Sequence, residues 1–255
     1  MLNLLINDFW FDNAEIFKEK IETMSEEEKE LLKYITKFQN GDFSEKEEFV
    51  NFFVNNSERK IFVIGMRLFM AIANHKDFSL LNDFFEQCDE EDLRVFLAFV
   101  EESMSMQAVP YLLALFEDWD ETLVGDDIAR CICEMTGKEY CQDQIYTIEQ
   151  LGEYFNEFSD QNDMDYYYYS GKVLFLGDLT KKTIIFAMDC KQRKKPYYAD
   201  QISSILSNSV GKKCPVSYGV EITDEIVEKL YSYVKSISVM NVEKGSKYFY
   251  NHKIM

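Results

Sequence analysis

Six carboxylates and a tryptophan crowd the first twelve positions of one short stretch of the chain, FEDWDETLVGDDIARCICEMTG at 116–137. Acidic side chains at close spacing can hold a metal ion, act as acid and base in hydrolysis, or attract a cationic partner. The side chains in question are Glu117, Asp118, Trp119, Asp120, Glu121, Asp126 and Asp127. Their spacing and surroundings have to decide among these three kinds of site.

The spacing does not favour a metal site. A calcium loop needs oxygen ligands in a fixed register, a glycine at the sharp turn and a closing bidentate glutamate, and DWDETLVGDD lacks that register. Zinc would need histidine and cysteine ligands, but His75 and His252 are far apart in sequence. Cys131 and Cys133 point to different faces of a predicted helix. The sequence therefore predicts no metal and no cofactor.

Catalytic motifs are missing as well. The chain has no GxSxG elbow, phosphate-binding glycine loop, HExxH or dinucleotide fingerprint. A cysteine–histidine nucleophile would have to recruit His75 at a predicted helix end or His252 in the C-terminal tail. Carboxylate pairs for glycoside hydrolysis can be drawn anywhere among so many acids, which makes them uninformative. The sequence predicts that the protein is not an enzyme.

The acidity lies almost entirely in the first part of the chain. Residues 1–150 carry 33 acidic and 13 basic side chains, a charge of −20, whereas 151–255 carry 13 and 14, a charge of +1. Such a field repels nucleic acid and anionic membranes and speeds encounter with cationic partners, although acidity can also serve solubility alone. The expected partner is a basic protein surface, with no direct nucleic-acid binding and no membrane.

The aromatic residues leave two alternatives open. Trp119 lies among charges at a predicted turn between helices, where it either caps the core or anchors a binding patch. Tyr166–Tyr169 could stack nucleic-acid bases, but a strand or packed connector is favoured because no basic residues are close by. The start of the chain has no basic leader and its apolar run is interrupted, so no signal peptide and a cytoplasmic location are expected.

Capping residues and helical spacing of apolar residues predict the elements that position these side chains. SEEE at 25–28 and SEKE at 44–47 are predicted capping boxes. Helices are predicted at about 13–24, 26–39, 45–55, 58–73, 78–87, 91–104, 107–117, 121–135 and 148–158. Further along, short strands near 173–176 and 215–218 and helices at about 181–190, 199–209 and 224–238 are predicted, with Thr180 and Thr223 as N-caps.

Two segments, FFEQCDEEDL at 84–93 and LFEDWDETLV at 115–124, align at an offset of 31 residues. Each is predicted to end one helix, turn through acidic residues and begin another, which is typical of a solenoid of helical pairs. An irregular helical bundle is the alternative. The predicted fold is mainly α, with a HEAT-like helical-repeat body (an α-solenoid) at 1–158. A smaller, mostly helical C-terminal lobe at 159–255, with one or two short strands, is expected to pack on it.

The segment AVPYLLALFEDWDETLVGDDIARCICEMTGKEY resembles the last helical repeats of HEAT-like proteins. Together with YYYYSGKVLFLGDLTKKTI and CPVSYGVEITDEIVEKL, it resembles a bacterial polymorphic-toxin immunity protein, most nearly the immunity protein 47 family. The resemblance covers roughly residues 58–240. Immunity proteins of this kind are cytoplasmic binders without chemistry of their own, which block the active site or an essential surface of a cognate toxin domain.

The resemblance thus implies a toxin domain as partner, and many such toxins are nucleases with basic substrate clefts. A strongly acidic surface would compete for such a cleft, with fast encounter from long-range attraction. The predicted partner-binding residues are Asp118, Trp119, Asp120, Glu121, Asp126 and Asp127. A monomer is favoured. The alternative function is an acidic helical-repeat scaffold or adaptor without any link to a toxin.

Overall fold

Eleven α-helices and two small hairpins build the protein within residues 24–255, the part that the computed structural model describes. The helices are α1 (Glu26–Gln39), α2 (Lys46–Val54), α3 (Arg59–Ile72), α4 (Asn82–Gln87), α5 (Glu90–Phe99), α6 (Val109–Trp119), α7 (Leu123–Thr136), α8 (Ile148–Gln161), α9 (Leu176–Arg193), α10 (Asp200–Val210) and α11 (Asp224–Ser238). The predicted mainly α fold class is confirmed. The helix predicted at 13–24 lies outside the described residues except for its last position. Among the described helices, none is both long and apolar enough to cross a membrane.

Side-chain caps begin several helices where the sequence predicts them. At the start of α1 the Glu28 N–H donates to Ser25 Oγ (3.1 Å) and the Ser25 N–H donates to Glu28 Oε2 (3.2 Å), a complete capping box. The box predicted at 44–47 does not form. Ser44 Oγ donates to Asp42 Oδ1 instead (2.7 Å), and α2 begins at Lys46.

Residues 46–57, 65–174 and Met255 form one compact unit, with α7 at its centre. Helix α7 packs against α5, α6 and α8. It buries Val124, Ile128, Ile132 and Met135, which recur at helical spacing on one face. Helices that follow one another in the chain are therefore neighbours in space, which is consistent with helical pairs. A regular solenoid repeat stays a prediction.

The two aligned segments both form a helix, an acidic turn and a second helix. In the first, α5 begins after Asp89, whose carboxylate accepts from the Asp92 N–H (2.9 Å). In the second, α7 begins after Thr122. At an offset of 31 residues, Asp89 would correspond to Asp120, but the second N-cap is Thr122, two positions further on. The second turn has three residues and the first has two, so the second is one residue longer. The longer turn leaves Asp120 and Glu121 outside both helices.

The described part of 1–45, together with 58–64 and 175–254, forms a second compact unit. In it α9 packs against α10 and α11, and α10 packs against strand β3 (Tyr248–Phe249). Tyr197 is fully buried here, with its ring 5.1 Å from that of Phe186. The division into a body at 1–158 and a lobe at 159–255 stays a prediction.

The C-terminal elements differ from the predicted ones in two places. Helix α9 begins at Leu176 and not after Thr180, whose hydroxyl donates to the Gly177 carbonyl inside the helix (2.8 Å). Thr223, by contrast, is the N-cap of α11 as predicted, accepting from the Ile226 N–H (3.3 Å). The prediction of a strand at 215–218 is wrong. Pro215 lies in a bend and Tyr218 in a turn. Beside them, the Gly219 N–H donates to the Tyr197 carbonyl (2.6 Å) and the Tyr197 N–H donates to the Val220 carbonyl (2.8 Å), without forming a strand.

The strands of the described chain are two residues long and form two antiparallel hairpins, β1–β2 (Tyr168–Tyr169 with Lys172–Val173) and β3–β4 (Tyr248–Phe249 with His252–Lys253). Both loops hold two residues at positive φ, Ser170 and Gly171 in the first and Tyr250 and Asn251 in the second. This is the twist of a type I′ turn, which suits the twist of paired strands. The Tyr166–Tyr169 run thus forms a strand and a packed connector, as the sequence favoured over a platform for stacking bases.

Candidate interaction site

The acidic residues of 117–127 lie in and beside a short capped turn between α6 and α7. Helix α6 ends at Trp119, and Thr122 is the N-cap of α7. The Trp119 carbonyl accepts from both the N–H (3.0 Å) and the hydroxyl (2.7 Å) of Thr122. The Thr122 Oγ1 in turn accepts from the N–H groups of Val124 (3.2 Å) and Gly125 (3.3 Å). One threonine thereby ties the end of one helix to the start of the next.

Gly125 is required for this close approach, because a Cβ at this position would lie 2.5 Å from the Trp119 carbonyl oxygen and 2.9 Å from Asp120 Cα. We expect Gly125→Ala to lower the free energy of unfolding by about 1–3 kcal/mol, since backbone atoms must move to relieve the clash. Urea unfolding measures the change.

The matched control is Gly152→Ala in α8, where nothing lies within 4 Å of the added methyl group. This substitution should raise stability by about 0.5–1 kcal/mol, because alanine loses less backbone entropy in a helix than glycine. Equal effects of the two substitutions would show that the α6–α7 turn does not depend on the close approach.

The structure divides the six predicted partner-binding residues into three groups. Asp118, Asp120, Glu121 and Asp126 are exposed, and none of them forms an ion pair with any residue in 24–255. Trp119 is half-buried, an exposure that fits both a cap on the core and an anchor for a partner. Asp127 is also half-buried, and its charge is already matched.

Asp127 bridges two arginines. Its Oδ2 lies 3.2 Å from Arg94 Nη1 on α5, and its Oδ1 lies 3.2 Å from Arg130 Nη2 one turn along α7. The side chain therefore links α5 to α7 within the unit. We infer that a partner would meet little net charge here, unlike at Asp126 one position earlier, which faces solvent without a described counter-charge.

The α6–α7 turn and the loop at 142–146 line one cleft of about 410 Å³. Its acidic lining residues are Asp120, Glu121, Asp126 and Asp143. The loop side is held by Tyr146, whose Oη accepts from the Cys141 N–H (2.8 Å) and whose ring stacks on that of Tyr140 at 5.4 Å and 12°. Burial raises the pKa of the Tyr146 hydroxyl above its usual range. The hydroxyl therefore stays protonated and neutral near pH 7.

Sequence reasoning missed the two aliphatic side chains that line this cleft, Leu123 and Ile145. Leu123 is 73% exposed and Ile145 is 91% exposed. A weak signal existed for Leu123. It stands one position before Val124, which begins the buried stripe of α7, and so falls on a different face of the helix. No local pattern distinguishes Ile145, which lies in a loop.

Each of the two histidines packs against neighbouring residues of the fold. The His75 ring stacks on Tyr167 at 4.1 Å, its Nδ1 lies 2.8 Å from Ser105 Oγ, and its Nε2 lies 3.2 Å from the Asp165 carbonyl. His252 is on β4, where its imidazole lies against Gly41. Across residues 24–255, no three His, Cys, Asp or Glu side chains are grouped so that they could hold a metal ion.

The cysteines are free thiols, and Cys131 and Cys133 on α7 are buried in the core. Burial raises the pKa of both thiols, which disfavours the nucleophilic thiolate. Cys131 Sγ lies 3.6 Å from the Leu97 carbonyl of α5. These two side chains therefore pack between helices.

A family model described as immunity protein 47 matches residues 5–254, nearly the whole chain. A search of the curated proteins gives no significant match. A search of the solved structures gives none either. The matched span includes nearly all of both compact units and the whole acidic cleft. The chain therefore belongs to the immunity protein 47 family.

Proposed function

We propose that this protein binds a cognate bacterial toxin domain and neutralises it by covering its active site or a basic surface. The observation that carries the proposal is the family match over residues 5–254, because an immunity family implies a toxin partner. In this proposal the protein acts in the cytoplasm as a monomer, uses no cofactor and performs no reaction. It contacts neither nucleic acid nor membrane directly.

Charge supports a basic partner. The first 150 residues carry a net charge of −20. Four carboxylates in or beside the α6–α7 turn face solvent and form no ion pair among residues 24–255. A basic surface gains long-range attraction to such a region, which speeds encounter and suppresses acidic competitors. A nuclease domain with a basic substrate cleft fits this requirement.

The direct test is co-expression with the toxin domain encoded by the neighbouring gene. We expect growth to be rescued and the two proteins to co-purify, with retention falling as salt rises because exposed charges are screened. A toxin from an unrelated gene cluster is the control and should remain lethal. Absence of rescue and of co-purification would favour the alternative function, an acidic scaffold or adaptor, whose acidity serves only to keep it soluble.

Trp119 gives a second test, which separates its two possible roles. If the half-buried ring anchors the partner, Trp119→Ala should weaken binding by about 2 kcal/mol or more, mainly through faster dissociation. If the ring caps the core, the same change should lower the melting temperature and leave the affinity of the folded fraction unaltered. Calorimetry of the free protein measures the melting temperature, and surface plasmon resonance with the toxin domain measures the dissociation rate.

The control is Tyr218→Ala, which removes an aromatic ring that is 54% exposed and lies outside the cleft. It should change neither stability nor dissociation. If Trp119→Ala behaves in the same way, Trp119 has no part in partner binding.

A further inference from the structure

Leu123 and Ile145 expose large aliphatic surfaces in the same cleft. Single exposed aliphatic residues are common on protein surfaces and need no explanation. Here two of them, 73% and 91% exposed, line one cleft of about 410 Å³. Apolar side chains gathered at a concave site mark a contact surface more specifically than isolated ones do.

The backbone that carries Ile145 is tied down on both sides. Before it, the Gln144 N–H donates to the Cys141 carbonyl (3.1 Å), and the Cys141 N–H donates to Tyr146 Oη (2.8 Å). After it, Thr147 is the N-cap of α8 and accepts from the Gln150 N–H (3.3 Å). Ile145 is therefore presented to solvent from an ordered loop. An ordered contact residue loses less entropy on binding than one in a loop that must first be fixed.

Leu123 is presented in the same way from the other lining segment. It is the first residue of α7, directly after the Thr122 cap that joins α6 to α7. Helix α7 then enters the core with Val124 fully buried. The two aliphatic residues thus stand on separate, fixed pieces of backbone that meet at the cleft.

The charges of the cleft define what can enter it. Asp120, Glu121, Asp126 and Asp143 line it, and none of these carboxylates forms an ion pair with a residue in 24–255. A neutral apolar ligand would leave the carboxylates without partners, and an acidic ligand would be repelled. A segment that carries both a cation and an apolar side chain satisfies both features.

We infer that the cleft receives a basic segment of the partner protein, whose apolar side chain contacts Leu123 and Ile145 while neighbouring lysine or arginine residues meet the four carboxylates. This inference rests on the proposed function and adds the specificity-determining contacts. The carboxylates set the association rate, and the two aliphatic residues set the lifetime of the complex. Tyr146 is a positioning residue that holds the loop bearing Ile145.

Kinetics with the toxin domain encoded by the neighbouring gene test the inference. We expect Leu123→Ala and Ile145→Ala each to raise koff about tenfold while kon changes less than twofold. The melting temperature of the free protein should stay the same, because both side chains are largely exposed. Ile185→Ala on α9 is the matched control, since Ile185 is 70% exposed but lies outside the cleft. It should leave koff unaltered.

Tyr146→Phe tests the positioning role, because it removes the oxygen that holds the Cys141 N–H and keeps the ring. In this variant the further effect of Ile145→Ala on koff should shrink well below tenfold, whereas that of Leu123→Ala should persist. A merely structural tyrosine would leave both effects intact.

The outcomes separate this inference from the proposed function. If the wild-type protein does not bind the toxin domain, both are wrong. If it binds and neither Leu123→Ala nor Ile145→Ala raises koff, toxin binding stands and the cleft inference is overturned. If Ile185→Ala raises koff as much as the cleft variants do, the contact is a general apolar one and the cleft inference is again overturned.

Discussion

Glu102→Ala lowers the free energy of unfolding by about 3–5 kcal/mol, the largest loss of stability that we expect from a single substitution. Arg67 Nη2 lies 2.7 Å from Glu102 Oε1, and each side chain is only 3% exposed. The Arg67 guanidinium also lies over the Phe99 ring at 5.0 Å. Removing the carboxylate would take a counter-charge at 2.7 Å away from a buried guanidinium. Urea unfolding followed by circular dichroism measures the effect.

The control is Glu90→Ala, which removes a carboxylate that pairs with Arg94 at 2.9 Å where both side chains are exposed. Water screens this pair, so we expect a loss below about 1 kcal/mol. Replacing both buried partners, as in Arg67→Met/Glu102→Leu, should recover much of the stability that the single substitution loses, because the two opposite charges of the pair are removed together. A double variant no more stable than Glu102→Ala would contradict the charge explanation.

The second large effect is on the rate of partner binding. We expect a variant with Asp118→Asn, Asp120→Asn, Glu121→Gln and Asp126→Asn to bind the toxin domain with kon lowered roughly tenfold or more at low ionic strength. The salt dependence of kon should flatten, because the charges that are screened have been removed. Stopped-flow association at several salt concentrations measures both quantities.

Asp127→Asn is the matched control for this variant. It removes a charge of the same kind from the same helix turn, but Asp127 already pairs with Arg94 and Arg130 at 3.2 Å. Its loss should therefore cost some stability and leave the salt dependence of kon in place. If Asp127→Asn lowers the logarithm of kon by a quarter of the fall seen in the fourfold variant, the effect per charge is the same, and overall charge rather than the exposed carboxylates governs encounter.

Capping residues in the sequence predicted the bounds of those helices whose ends depend on residues close by in the chain. The bounds of α1 and α11 agree with the predicted 26–39 and 224–238. Ser25 and Thr223 cap these helices through bonds to residues three positions away. Thr180 carries the same sequence signal as Thr223, but its helix starts four residues earlier. A threonine that can cap a helix can equally well lie inside one.

The sequence also predicted that the carboxylates would lie on or beside a turn between two helices. The structure places Asp120 and Glu121 in that turn, Asp118 near the end of α6 and Asp126 in the first turn of α7, and all four side chains are exposed. Asp127 could not be distinguished from Asp126 in the same way. Its arginine partner on α5 is 33 residues away along the chain, so no local pattern reveals the pairing.

The sequence by itself determined the mainly helical fold, the concentration of negative charge in 1–150 and the resemblance to an immunity family. Composition, helical spacing and capping depend on the residues alone or on their near neighbours in the chain. Only the tertiary structure decided that Leu123 and Ile145 share one acidic cleft and that Arg67 and Glu102 form a buried pair. Such contacts join residues more than 20 positions apart, and they arise from the way helices pack, which no short segment specifies.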